Sequence, residues 1–126
     1  MTVLLDTSVF IDHLRGNQEA RQALRRAVGH GERLAASVVT KVEVLAGMRV
    51  SEEEATRTLF RAVEWIAVDD GIAERAGQLA NQFVRSHPGV DPIDYVIAAT
   101  AEHLGAQLWT RSLKHFPMYT ELTSPY

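Results

Sequence analysis

Short apolar runs alternate with longer amphipathic segments along the chain, and this alternation is the feature that most constrains its fold. Thr2–Leu5 is a short apolar run, as expected for a strand buried in a parallel sheet. Three further strands are predicted at Arg33–Ser37, Trp65–Val68 and Gln107–Thr110, with a short fifth near Glu121 and Leu122. Strands that alternate with helices predict an α/β fold in which helices cover both faces of a parallel sheet.

Capping residues and glycines mark the predicted helices between these strands. Thr7 or Ser8 can cap a first helix that Gly16 ends, and a second helix runs from about Gln18 to Val28. A third helix has Val42, Leu45 and Ala46 on one face and ends near Gly47, and a fourth is opened by the capping-box pattern Ser51–Glu54 and reaches about Glu64. A fifth runs from Asp70 to about Arg85. Asp91 and Pro92 start a sixth, which ends before Gly105.

Length and composition limit the class of protein. The 126 residues suit a single domain over 1–126. There are no cysteines, which excludes disulfides and thiolate chemistry and favours a reducing, cytoplasmic compartment. No secretory leader is visible, and no apolar run reaches the about 20 residues that span a bilayer. The net charge of −3 argues against a nucleic-acid binder, which is usually basic.

Three acidic residues share one pattern, in which a carboxylate stands at the edge of an apolar segment. Asp6 closes the first strand, Glu43 lies in a helix of small and apolar residues, and Asp94 opens the apolar run of the last helix. Unpaired charges beside buried surfaces are costly, so the convergence of three such groups indicates a bound cation. Carboxylate ligation fits Mg²⁺ or Mn²⁺.

Each acid also has a simpler interpretation when taken alone. Asp6 can cap the next helix, Glu43 can pair with a Lys or Arg, and Asp94 at the third helical position favours the helix dipole. The simpler interpretation is the better one for any single acid. It weakens because all three acids share the same surroundings.

Three segments, LLDTSVFIDHLRG, SVVTKVEVLAG and DYVIAATAEHLGAQLWTRSLKHFP, resemble the sequence blocks of PIN-domain ribonucleases, and of the VapC toxins in particular. The resemblance covers nearly the whole chain, in order. It implies a five-stranded parallel sheet in an αβα sandwich and Mg²⁺-dependent endonuclease activity on RNA by metal-activated water. It also implies a homodimer held by a cognate VapB-like antitoxin.

The resemblance also assigns roles to particular residues. The metal-binding acids of the family fall on Asp6, Glu43 and Asp94. Many members carry a further Asp or Asn at the position of Ser112, and a hydroxyl is a weaker ligand than a carboxylate, so occupancy of a second metal site is in doubt. Asp91 lies near enough to substitute, although a cap before Pro92 is its favoured role.

Residues beside the acids are candidates for supporting roles. Thr7 and Ser8 can orient Asp6 or a metal-bound water. Thr110, Arg111 and Ser112 form the corresponding loop after the fourth strand.

Other polar and aromatic residues are less informative. Lys41, Arg15 and Arg111 are candidates to hold phosphates, with solvated charge favoured for Arg15. His115 is interpreted as a surface or packing residue that could touch substrate. Trp65 and Trp109 are predicted to lie in the core.

Two alternatives compete with a ribonuclease. A non-catalytic PIN module that binds RNA or protein is favoured by the loss of an acid at Ser112. An aspartyl-phosphate protein would need a second acid two residues after Asp6 or a paired acid beside it, and the chain has Asp6-Thr7-Ser8. For the antitoxin, an apolar groove is predicted at Phe10, Leu14 and Val44, with a core role equally open.

Overall fold

The structure, a computed structural model, describes residues 1–126 and contains one parallel sheet between two layers of helices. The strands are β1 (Thr2–Leu5), β2 (Arg33–Ser37), β3 (Glu64–Ile66) and β4 (Gln107–Trp109). The helices are α1 (Thr7–Leu14), α2 (Gln18–Gly29), α3 (Val38–Ala46), α4 (Glu53–Arg61), α5 (Asp70–Phe83) and α6 (Pro92–Leu104), with 3₁₀ turns at Val50–Glu52 and Leu113–His115. None of the helices has the length and apolar composition needed to cross a membrane.

The sheet has the order β3-β2-β1-β4, and every pairing in it is parallel. Leu4 of β1 lies opposite Ala35 of β2 on one side and opposite Leu108 of β4 on the other. Strand β1 is therefore an interior strand, which explains why it is apolar throughout.

Alternate side chains of each strand enter two separate cores. Leu4 and Leu108 pack with α5 and α6, whereas Val3 and Leu5 pack with α1, α2 and α4. This arrangement confirms the predicted three-layer sandwich.

The predicted fifth strand is wrong, because the sheet has four strands. Glu121 and Leu122 lie beside β4 with space between them and the strand, and their backbone makes no ladder hydrogen bonds. Short strand-like segments do not form a strand unless their N–H and C=O groups pair with a neighbour.

Two helical predictions also need correction. Ser51 lies inside the 3₁₀ turn Val50–Glu52, in which the Glu52 carboxylate accepts a 2.9 Å hydrogen bond from the backbone N–H of Arg49, and the N-cap of α4 is Glu52 and not Ser51. In α3, Val42 is 66% exposed and Val44 is buried. The buried face of α3 is therefore rotated from the predicted one.

Two of the three residues predicted for the antitoxin groove, Phe10 and Val44, belong to the buried core. Phe10 is fully buried and packs against the rings of Phe60 and Trp65, so it cannot line a surface groove. Leu14 and Val44 do line a small surface groove between α1 and α3, to which Ile11 and Met48 also contribute. Trp65 and Trp109 pack against the core, as predicted.

Candidate active site

The candidate site lies at the carboxyl edge of the sheet, between β1 and β4. The chain leaves β1 through α1 and α2 on one face and enters β4 from α5 and α6 on the other. Open α/β sheets bind ligands at this kind of switch point, because the two connections diverge and leave a crevice. Asp6 follows β1 and Thr110 follows β4, so both residues face this crevice.

Asp6 occupies the N-cap position of α1, but its carboxylate makes no capping hydrogen bond. Its Oδ2 atom instead accepts hydrogen bonds from Thr110 Oγ1 at 2.7 Å and from Ser8 Oγ at 3.0 Å. The side chain is 5% exposed. The simple capping role is thus excluded for this acid, and two hydroxyl groups fix its orientation instead.

Glu43 is held by the residue that follows Asp6 in the chain. Thr7 Oγ1 donates a 2.6 Å hydrogen bond to Glu43 Oε1, and no Lys or Arg forms an ion pair with this carboxylate. The first turn of α1 therefore contacts two of the three acids through neighbouring hydroxyls.

Asp94 combines a structural role with an unusual charge environment. Its Oδ2 atom accepts a 3.2 Å hydrogen bond from the backbone N–H of Asp91 and lies 3.5 Å from His115 Nδ1. Burial raises the pKa of Asp94 to about 6, and the charges of Asp6 and Asp91 act in the same direction against His115. Asp6 acts in this direction because a second negative charge disfavours ionisation of Asp94.

No three carboxylate or imidazole groups in the structure are close enough together to hold one ion. Each acid is bound to its own local partner, as expected for like charges that repel. The donor set of three carboxylates, two of them hydrogen-bonded to hydroxyls and none accompanied by a thiol, nevertheless suits a hard cation such as Mg²⁺.

The other predicted site residues fall into two groups. Thr7, Ser8 and Thr110 contact the acids through their side chains. Arg111 and Ser112 contribute backbone N–H groups, to Ser8 Oγ at 3.0 Å and to Thr110 Oγ1 at 2.9 Å.

Two predictions about individual residues near the site can be compared with the structure. Asp91 caps α6 by accepting a 2.8 Å hydrogen bond from the N–H of Ile93, as favoured from the sequence. The Ser112 hydroxyl makes no hydrogen bond to any acid.

Sequence reasoning gave too little weight to His115 and missed Asp12 and Tyr126. The side chain of His115 is half exposed and lies beside Asp94, and the neighbouring Phe116, which is 1% exposed, anchors its turn in the core. In the sequence, the aromatic Phe116 beside the polar His115 could have indicated a turn that is anchored in the core and presents His115 at the surface. Nothing in the local sequence marks the contact between Asp12 and Tyr126, which are 114 positions apart.

The fold and the acidic edge of the sheet together define a PIN domain, and residues 3–112 match that family. The chain therefore belongs to the PIN domain family. It is 44% identical to Ribonuclease VapC19 of Mycobacterium tuberculosis over 98% of both chains. It is 39% identical to Ribonuclease VapC10 of the same organism, over 98% of this chain and 92% of that one. These similarities confirm the resemblance to VapC proteins.

The same relationship is visible in solved structures. A chain of a toxin–antitoxin complex from Klebsiella pneumoniae superposes with a TM-score of 0.82 and 30% identity, over 98% of both chains. A chain of VapBC-1 from nontypeable Haemophilus influenzae superposes with a TM-score of 0.77 and 25% identity, over 98% of this chain and 96% of that one.

Proposed function

We propose that this protein is a Mg²⁺-dependent endoribonuclease and the toxin of a toxin–antitoxin pair. The observation that carries the proposal is the Asp6 carboxylate, which is buried at the switch point of the sheet, is not used as a helix cap, and is oriented by Ser8 and Thr110. Similarity to two proteins named as ribonucleases supports RNA as the substrate.

Asp6, Glu43 and Asp94 are the residues that would hold the ion. When bound, Mg²⁺ neutralises charge on a phosphodiester and makes a water molecule a better nucleophile at neutral pH. The protein's own contribution is orientation, because Thr110 and Ser8 fix the Asp6 carboxylate. Groups held in this way need little reorganisation during the reaction.

The antitoxin is proposed to be a VapB-like protein, because two similar chains come from toxin–antitoxin and VapBC complexes. The groove between α1 and α3 is lined by the apolar residues Ile11, Leu14, Val44 and Met48, together with the Arg15–Glu52 ion pair. Apolar side chains along such a groove suit an amphipathic helix of the partner. A homodimer is part of the same proposal.

A non-catalytic PIN module is the second candidate, and one observation favours it. Ser112 stands where many family members carry an acid, and its hydroxyl makes no hydrogen bond to the acids present. Such a module would bind RNA or protein without cutting RNA.

Cleavage of RNA with and without Mg²⁺ separates the two functions. The wild type is expected to cut single-stranded RNA only with the metal, and Asp6→Asn or Asp94→Asn to abolish cutting while the fold is retained. The control is Asp70→Asn in the exposed first turn of α5. RNA binding without cleavage by the wild type would establish the non-catalytic module, and near-normal cleavage by either site variant would overturn the assignment of the acids.

A further inference from the structure

The structure separates the three basic residues that the sequence offered as phosphate ligands. Arg15 Nε donates a 3.0 Å hydrogen bond to Glu52, and the Lys41 ammonium lies 4.5 Å from the centroid of the Trp65 ring. Arg111 instead follows Thr110, whose hydroxyl contacts Asp6. Of the three, it is the cation carried by the loop that builds the acidic site.

Two side chains hold the Arg111 guanidinium. Its central carbon lies 4.9 Å from the centroid of the Tyr126 ring, a cation–π distance, and Nη1 lies 3.7 Å from Asp12 Oδ2. The Tyr126 phenol donates a 2.7 Å hydrogen bond to the same Asp12 oxygen. Burial and this hydrogen bond both raise the pKa of Tyr126, so the phenol remains a donor. We call these three residues the Arg111 clamp.

The Arg111 clamp is fixed relative to Asp6 at both of its ends. The backbone N–H of Arg111 donates a 3.0 Å hydrogen bond to Ser8 Oγ, and Ser8 Oγ donates to Asp6 Oδ2. Asp12 lies four residues after Ser8 on α1, which places the two on the same face of the helix. The guanidinium is therefore held between α1 and the loop after β4, the two elements that also carry Asp6 and its hydroxyl partners.

A polyanion needs a cation at this place. The chain has a net charge of −3, and three of its carboxylates belong to the candidate site, where they repel phosphate. The Arg111 side chain is 42% exposed, and its ion pair with Asp12 is long. A guanidinium carries five N–H donors in a planar fork suited to phosphate, so Arg111 retains donors for a ligand while Asp12 and the ring restrain it.

We propose that Arg111 binds a backbone phosphate of the RNA substrate beside the acidic site, and that Tyr126 and Asp12 are positioning residues that act through it. This inference rests on the proposed ribonuclease function for the identity of the polyanion. In this proposal Tyr126 makes two contributions: its ring packs against the guanidinium, and its phenol holds Asp12 through a hydrogen bond.

The test combines RNA binding in EDTA with cleavage kinetics in Mg²⁺, using one fluorescent single-stranded RNA. Arg111→Ala is expected to raise both Kd and KM about tenfold, as for the loss of a charged hydrogen-bonded contact, with kcat little changed. The slope of the logarithm of the RNA affinity against the logarithm of the salt concentration should become shallower by the amount expected for one phosphate contact. The control is Arg75→Ala, since Arg75 is equally exposed and also pairs with a carboxylate, on the α5–α6 side.

A double-mutant cycle tests the role of Tyr126. Tyr126→Leu should weaken RNA binding in the wild-type background and have no further effect in Arg111→Ala, whereas two independent contributions would add. Tyr126→Phe keeps the ring and loses the hydroxyl, so its Kd for RNA should lie between those of the wild type and Tyr126→Leu. A melting temperature that drops without a change in Kd or KM would show a purely structural tyrosine and overturn its positioning role.

The outcomes distinguish this inference from the function on which it rests. Cleavage by the wild type with an unchanged Kd and KM in Arg111→Ala overturns the inference alone. Binding without cleavage overturns the ribonuclease proposal, and the EDTA titration still decides the role of Arg111. Absence of any RNA binding by the wild type overturns both.

Discussion

The Thr110 hydroxyl donates a 2.7 Å hydrogen bond to Asp6 Oδ2 and so ties together the carboxyl ends of two neighbouring strands. Thr110→Val keeps the shape and removes the donor, so Asp6 loses one of its two hydroxyl partners. We expect a stability loss of about 1–3 kcal/mol together with a fall in kcat/KM. Denaturant unfolding and cleavage rates measure the two effects.

Thr100→Val is the matched control for this substitution. Thr100 is also buried, but its hydroxyl donates only to the carbonyl of Val96 within α6. Equal losses of kcat/KM in the two variants would show that Thr110 matters only for stability.

Asp94 should make the stability of the metal-free protein depend on pH. Its pKa is raised from 3.8 to about 6 in the folded state, so folding favours the protonated carboxyl. The favourable contribution of Asp94 to the free energy of unfolding is fully present below pH 3.8 and is lost as pH rises through about 6. In EDTA, Asp94→Asn should therefore melt a few degrees above the wild type at pH 7.5, and this difference should shrink towards pH 4.

The control for this pH series is Asp70→Asn, which removes an exposed carboxylate from the first turn of α5. Its difference from the wild type should vary less between pH 4 and 7.5. Parallel melting profiles for the wild type and Asp94→Asn would contradict the raised pKa.

Mg²⁺ should raise the melting temperature of the wild type and not that of a triple variant. An ion that binds only the folded state adds RT ln(1 + [L]/Kd), or about 2.7 kcal/mol at one hundred times Kd. Replacement of Asp6, Glu43 and Asp94 by their amides should abolish the shift. Glu53→Gln with Glu54→Gln, which removes charge from the start of α4, should retain it; an equal shift in the triple variant would place the ion elsewhere.

Ser112→Asp should strengthen Mg²⁺ binding measured by calorimetry. The Ser112 backbone N–H is bonded to Thr110, so a carboxylate at this position starts beside the acidic site, and carboxylates bind Mg²⁺ better than hydroxyls do. Ser112→Asn is the uncharged control. Identical affinity and stoichiometry in the serine and aspartate proteins would show that this side chain does not line the metal site.

Ile11→Glu should weaken binding of the cognate antitoxin and leave folding intact. Ile11 lies on the groove between α1 and α3 and is 39% exposed, so a charge there meets water in the free protein. The control is Val84→Glu, at a residue that is 46% exposed at the end of α5. Unchanged affinity in Ile11→Glu, with an intact fold, would place the antitoxin on another surface.

The sequence was sufficient to predict elements whose signals are local. The strand Arg33–Ser37 and the Asp91–Pro92 start of α6 were predicted with their observed bounds, because apolar runs and capping residues act within a few positions. The fifth strand near Leu122 failed for the complementary reason. A strand exists only through its neighbour, and pairing cannot be determined from a short segment alone.

The same distinction applies to the site. The three acids could be proposed as metal ligands from the sequence because each stands at the edge of an apolar segment. Thr7, Ser8 and Thr110 were predicted as supporting residues, but their individual hydrogen bonds were not, since Thr110 reaches Asp6 from 104 positions away. The contact between Tyr126 and Asp12 was missed. Which hydroxyl or ring meets a given carboxylate depends on the register of the assembled sheet.

The central position of β1 has a consequence for synthesis of the protein. Asp6 leaves the ribosome 104 positions before its partner Thr110. At about 5–20 residues per second, translation separates the two by roughly 5–20 s. During that interval the nascent chain carries Asp6 without the strand and hydroxyl that orient it, so the candidate site cannot assemble until Thr110 has also emerged.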